Sequence, residues 1–358
     1  MPKKISIIKP DDWHLHLREG DILKKVLKYS AKNFSRALIM PNLKKPILTY
    51  VQAEKYKREI LKYLPKGSKF NPLMTLYLTE KTNPKDIKNL KVNELISAIK
   101  YYPSGATTNS TYGVKNFEKV MPVMEQMAKF NIPLCMHGEL PGENYDIFDR
   151  EKIFIEKVLD KIRSRLPDLK ITLEHITTSE AINYVKSTKK NLGATITVHH
   201  LMINRNHIFD KGIRPHYFCL PIAKRRTHQE DLIQTATSGD RRFFLGTDSA
   251  PHLSSKKESD CGCAGIFSTP YAVPFLAEIF DRENKLPNLE KFVSLNGARH
   301  YNVNTNIERL TLIKKNKPVR LKTWIRAEND KIVFFGSEFK LYWTTERENN
   351  AKQTSRKN

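Results

Sequence analysis

Cysteine is scarce in this chain of 358 residues: Cys135, Cys219, Cys261 and Cys263 are the only four. So few and so scattered, they exclude a disulfide scaffold. Cys261 and Cys263 flank Gly262 alone, closer than a zinc-ribbon CxxC pair, so loop packing is their expected role. No apolar run approaches the length of a membrane span, and the opening "MPKKISIIKPDD" lacks the apolar stretch of a signal peptide. These absences predict a cytoplasmic protein with no membrane partner. Acidic residues are also short, 38 against 62 basic, giving a net charge of +24 and a pI near 9.7. A nucleic-acid binder would gather its cations on one stripe or element. Here they are spread through "LKKPIL", "NPKDIKNLK", "KSTKKN" and "LIKKNKPVRLK", with no zinc-finger, RNP1-like or KH-like pattern. No nucleic-acid partner is therefore expected. Lys, Asn and Ile are all abundant, as an AT-rich genome would favour, and the resulting field attracts anionic substrates.

What is present is a series of short apolar runs, each closed by polar or turn residues. In order they are "DWHLHLR", "RALIMPN", "NPLMTLYLT", "LISAIKYYP", "IPLCMHGE", "KITLEHITT", "ATITVHHL" and "FFLGTDSAPH". The first is preceded by "KISIIKP", β-branched and apolar, which predicts a strand running into the motif. Between most runs lie stretches such as "TYVQAEKYKREILKYL", "NFEKVMPVMEQMAKFN" and "DREKIFIEKVLDKIRSRL", whose apolar residues recur at helical spacing. Strands alternating with helices predict right-handed βαβ units, and eight of them predict a closed α/β barrel of the (β/α)₈ TIM type. An open doubly wound sheet is the alternative; it loses support because no GxGxxG opens the first unit and no P-loop appears.

The stretch "DDWHLHLREG" carries His14 and His16 one leucine apart, on one face if the segment is a strand. Taken alone the pair could be a metal site or an amphipathic strand. His14 and His16, Lys100, His137, His175 and Asp248 all fall near C-terminal strand ends, which converge on the mouth of a barrel. Imidazole or carboxylate at four strand ends, with a lysine at a fifth, makes the metal reading the stronger. His199 and His200, ending the seventh run, are expected to pack or to support ligands. His207, His216, His228 and His300 are assigned no role. The donor set suits zinc, with iron, cobalt or manganese as substitutes, and its size calls for two ions. Lys100 could join them only as a neutral amine, or better as a CO₂-derived carbamate, which the apolar "LISAIKYYP" favours.

"PDDWHLHLREG", "MPNL", "KYYPSGATTNS", "HGE", "EHITT" and "LGTDSAPH" together resemble the dihydroorotase family, bacterial single-domain type, of the amidohydrolase superfamily. The resemblance runs from about Pro10 to Asn296, and the arginine after HxH-Leu, "TDSAPH" and "ESDCGCAG" are its most specific parts. It implies zinc-dependent, reversible cyclisation of N-carbamoyl-L-aspartate to (S)-dihydroorotate in pyrimidine biosynthesis, by a homodimer whose barrel carries little or no accessory β-sandwich. By the same resemblance two Zn²⁺ are bridged by hydroxide and by Lys100 as N6-carboxylysine. His14 and His16 hold one ion, His137 and His175 the other, and Asp248 ligates the first and serves as general acid/base. Arg18, Asn42 and His252 would grip the substrate carboxylate, while backbone at Leu220 and Ala264 meets the ring's amide edge. His16 and His137 would contact substrate as well as metal, and Thr107 and Thr108 would reach it from a lid. Two departures from the family pattern are Gly105, where a bulkier residue is expected, and His199, where a glutamine is familiar. Competing readings are a dihydropyrimidinase- or allantoinase-type hydrolase and a non-catalytic barrel partner. One domain is expected over residues 1–344, followed by a polar C-terminal tail, 345–358.

Overall fold

Each of the eight runs is a short stretch of β-branched and apolar side chains buried on both faces, which is what a parallel strand covered by helices requires. The computed structural model describes residues 3–346. Its strands in chain order are β1 (Lys4–Ile8), β2 (Asp11–Leu15), β3 (Arg36–Ile39), β4 (Asn71–Tyr77), β5 (Ile96–Tyr101), β6 (Leu134–His137), β7 (Ile171–Glu174), β8 (Leu192–Ile196), β9 (Phe243–Leu245), β10 (Arg309–Lys314), β11 (Trp324–Ala327), β12 (Asp330–Val333) and β13 (Trp343–Thr345). Strands β2 to β9 pair in parallel and in sequence order. A bridge between Leu15 and Ser249 brings the last strand's continuation back to the first, with Asp248 N–H donating to the His14 carbonyl at 2.9 Å. The (β/α)₈ barrel expected from the strand count is the observed fold.

The helices follow the amphipathic stretches. The first expected one runs Tyr50–Lys62, closed at its start by a capping box in which Thr49 and Gln52 exchange bonds, and it buries Ala53, Tyr56 and Ile60. Met121–Phe130 likewise buries Val123, Met124 and Met127 against the barrel.

Two local expectations are corrected. "KISIIKP" does not run into the HxH strand: β1 ends at Ile8 and pairs antiparallel with β10, outside the barrel. Pro10, which has no N–H for a ladder, lies between it and β2. The seventh barrel strand stops at Ile196, and Val198–Met202 is a short helix capped by the Thr197 side chain, so His199 and His200 stand on a helix. Sheet β1–β10–β13 joins the two ends of the described chain in place of a large sandwich, and β11–β12 is a separate hairpin. Thr345 closes β13, opposite Leu312, and residues 347–358 of the expected tail lie outside the described residues. Among the described residues no helix is long and apolar enough to cross a membrane.

Candidate active site

His14 is held inside β2, and His16 follows one step beyond that strand's end. Two residues apart they share a face, and their Nε2 atoms lie 3.3 Å from each other. Asp248 reaches the same point from the segment after β9, its Oδ1 3.0 Å from His16 Nε2 and 3.5 Å from His14 Nε2. Its backbone is left-handed, φ 44°, as is that of His175, φ 40°, just past β7. Non-glycine residues in that region are uncommon and cluster where a side chain must be re-aimed. The His175 ring packs at 4.9 Å from His14 and 4.8 Å from His137, the last residue of β6.

Lys100, within β5, is completely buried and its Nζ has no hydrogen-bond partner, 5.0 Å from the ring centre of Tyr102. Burial lowers its ammonium from the ordinary lysine value, against the pull of Glu174. Burial likewise brings His14 down to about 4 and holds His16 and His175 well below the usual imidazole range. Burial raises the Asp248 carboxyl, opposed by His14 and Lys100. The centre is therefore rich in neutral nitrogen donors, the form in which imidazole binds a metal.

Arg18, Asn42 and His252, expected from the sequence to hold a substrate carboxylate, converge beside this cluster. Arg18 donates through Nε to the Pro251 carbonyl at 3.1 Å, and its Nη2 meets His252 Nε2 at 2.9 Å. Asn42 donates to the Thr108 carbonyl at 3.0 Å, leaving its own Oδ1 buried and without a partner. The Thr108 hydroxyl donates to the Ala264 carbonyl at 3.2 Å. His14, His16, Arg18, Asn42, Thr107, Thr108, His137, His175, Leu220, Asp248 and Ala264 line one cleft. His252 touches this cleft through Arg18, and Lys100 lies behind Tyr102, which also lines it.

Sequence reasoning passed over two buried carboxylates. Glu174 Oε2 sits 2.9 Å from His14 Nδ1 and accepts the Thr195 hydroxyl at 2.7 Å, while Glu139 Oε2 sits 2.9 Å from His137 Nε2. Both adjoin motifs already singled out, "HGE" and "EHITT", and that adjacency was the available signal. Outside the centre, His199, His200 and Cys219 form another buried trio. Both His200 nitrogens are engaged, with Thr197 Oγ1 at 2.9 Å and the Pro221 carbonyl at 3.0 Å, and the His199 ring packs on Phe335.

The donor set fits metal ions. His14, His16 and Asp248 bring three ligand atoms within 4.8 Å of one another, all buried. Lys100 Nζ and His175 Nδ1 are buried polar atoms without partners, and such orphans are rare unless something else satisfies them. A parallel barrel with this cluster at the C-terminal strand ends defines a metal-dependent hydrolase of the amidohydrolase type. Residues 5–336 match the amidohydrolase family. The chain is 52% identical over 344 residues, 96% of its length and 99% of the relative's, to the dihydroorotase of Rhizobium rhizogenes. Its identity to the dihydroorotase of a Ruegeria species is 51%, with the same coverage of both chains. Among solved structures, the dihydroorotase of Saccharomyces cerevisiae in complex with 5-fluoroorotic acid superposes with a TM-score of 0.87 at 34% identity, covering 96% of this chain and 98% of that one. The dihydroorotase of Campylobacter jejuni gives 0.87 at 36%, covering 97% and 98%. The L-hydantoinase of Arthrobacter aurescens shares the fold alone, with a TM-score of 0.75 at 12% identity over 89% of this chain and 78% of its own. The chain belongs to the amidohydrolase family and, within it, to the dihydroorotases. It is a hydrolase of cyclic amides, and its family implies a metal cofactor.

Proposed function

We propose that the cleft interconverts N-carbamoyl-L-aspartate and (S)-dihydroorotate, the ring-closing step of pyrimidine synthesis, with two zinc ions as cofactor. The observation that carries this reading is the carboxylate seat: Arg18, joined to His252 at 2.9 Å, faces the same cleft as the His14–His16–Asp248 cluster. A guanidinium grips a carboxylate bidentately. Dihydropyrimidinase and allantoinase substrates lack the free carboxylate that this seat would serve. The yeast relative at 34% identity was solved with 5-fluoroorotic acid, a pyrimidine carboxylate.

In this reading His14, His16 and Asp248 would hold one ion and His137 and His175 the other, with Lys100, as N6-carboxylysine, supplying a further anionic ligand. When bound, the two ions polarise the ring amide carbonyl and acidify the attacking water. Asp248 takes the proton from that water and returns it to the ring nitrogen as the C–N bond breaks; ring closure reverses both transfers. Burial, which raises the Asp248 carboxyl, suits a group that must hold a proton briefly. Arg18, Asn42 and His252 hold the carboxylate, backbone at Leu220 and Ala264 meets the amide edge, and His16 and His137 border the substrate. Thr107 and Thr108 close over it and exclude water. The protein would act as a cytoplasmic homodimer in this account, each chain forming one barrel domain. Metal analysis by mass spectrometry, run beside a dihydroorotate hydrolysis assay, tests the proposal. About two zinc ions per chain with turnover is the expected result, and a metal-free, inactive protein would end the enzyme reading.

A further inference from the structure

The Lys257 side chain is 3% exposed, although no carboxylate among the described residues meets it. Its Nζ donates instead to three backbone carbonyls: Phe218 at 2.8 Å, Cys263 at 3.0 Å and Gly265 at 2.7 Å. An ammonium has three donors, so this coordination uses all of them. The acceptors are not scattered. Cys263 and Gly265 flank Ala264, and Phe218 lies two residues before Leu220; Leu220 and Ala264 both line the cleft. Gly265 N–H also donates to the Phe218 carbonyl at 3.0 Å, and the Ala264 carbonyl receives Thr108 Oγ1 at 3.2 Å and pairs with His252 Nε2 at 3.0 Å. One buried cation thus ties together two segments that line the same cleft as Arg18 and Asn42.

We infer that Lys257 is a positioning residue for substrate binding, fixing the backbone at Leu220 and Ala264 at the spacing the ring's amide edge requires. The inference rests on the proposed dihydroorotate site. Backbone groups can discriminate a rigid ring only if their own placement is rigid, and these segments are loops. A buried ammonium bonded to three carbonyls supplies that rigidity with charge-assisted bonds. Loss of the ammonium should therefore weaken substrate binding more than the chemical step.

The cation is itself titratable. Burial lowers it from the ordinary lysine value to about 8, opposed by the Cys219 and Cys263 thiols and aided by Arg18. His199 and His252 lie close enough for its charge to lower their imidazoles. Across the adjoining cavity stand His216, Tyr217 and Glu338. Below about pH 8 the ammonium offers three donors; above it the neutral amine offers two and turns a lone pair toward a carbonyl. Arginine at this position would stay charged.

The test compares KM, kcat and metal content of the wild type, Lys257→Arg and Lys257→Met for dihydroorotate hydrolysis from neutral to alkaline pH. Wild-type KM should climb as pH passes about 8. Lys257→Arg should lack that rise, and Lys257→Met should show a KM raised about tenfold or more at every pH, with a smaller change in kcat and unchanged metal content. A normal KM in Lys257→Met, or the same alkaline rise in the wild type and Lys257→Arg, would overturn the inference. If Lys257→Met does not fold, the arginine variant's pH profile decides alone. A wild type that binds metal but never turns over dihydroorotate defeats the proposed function and this inference with it, whereas wild-type turnover with insensitive variants defeats only the inference.

Discussion

Glu174 and His14 share a buried contact of 2.9 Å between Oε2 and Nδ1, on the opposite side of the imidazole from the Nε2 that faces Asp248. A carboxylate in that position fixes the tautomer that leaves Nε2 free to ligate, and it makes the ring a better donor. Burial works to raise the Glu174 carboxyl, yet His14 and Lys100 beside it, with Thr195, hold it below its ordinary value. The charge is therefore kept where the metal site needs it. Glu174→Gln preserves shape and one hydrogen bond but removes the charge. Metal affinity should fall about 10–100-fold, measured by competition against a chelator. Unchanged affinity would show that the contact serves packing alone.

Arg18 makes its contacts with Pro251 and His252 and none with the ligand cluster's side chains among its resolved hydrogen bonds. Arg18→Met should leave metal content intact. The loss should appear in kcat/KM for dihydroorotate, at about 1.5–3 kcal/mol for a charge-assisted pair of hydrogen bonds. Full activity in the variant would mean that the carboxylate sits elsewhere.

The segment from Ser104 to Gly113 is internally bonded: Ser110 Oγ donates to the Thr107 carbonyl at 2.6 Å and accepts the Thr107 N–H at 2.9 Å. Asn109 donates to the Asn42 carbonyl at 3.0 Å, so the loop is tied to a residue that lines the cleft. Replacing Thr107 and Thr108 together by valine keeps their shape and removes the hydroxyls, including the Thr108 bond to Ala264. Turnover should fall by about tenfold or more while zinc binding persists. Unaltered turnover, read with metal content, would make the segment a connector.

The barrel was legible in the sequence because each strand is a brief apolar run closed by polar residues, and because His14, Lys100, His137, His175 and Asp248 all stand at or near such ends. The parts that were not legible have physical reasons. Strand alternation places adjacent residues on opposite faces, so Glu174 and His175 are not expected in one site; the left-handed backbone at His175 breaks that rule. "KISII" reads as a continuation of the HxH strand because its partner, β10, lies some 300 residues away in the chain. "VHHL" reads as strand because a short apolar run has no period long enough to separate strand from helix. Lys257 carries no motif, since its acceptors are carbonyls that any sequence would supply.

Lys100 carries the sharpest test of the metal centre. A completely buried lysine without a hydrogen-bond partner is costly as an ammonium, and burial shifts it toward the neutral amine that captures CO₂. As a carbamate it would exchange a cation for an anion with two oxygen ligands, reversing its effect on nearby dications. Lys100→Ala should lower metal occupancy by at least the loss of about 10–100-fold that follows when even an outer partner of a metal ligand is removed, and it should abolish most activity. Lys100→Arg should do no better, because a guanidinium stays charged and cannot take up CO₂. In the unaltered protein, stripping metal at low pH decomposes a carbamate. Reconstitution with zinc in CO₂-depleted buffer should then be slow or incomplete, and bicarbonate should restore it. Full zinc loading and full activity in Lys100→Ala, measured by mass spectrometry and dihydroorotate hydrolysis, would rule out the carbamate.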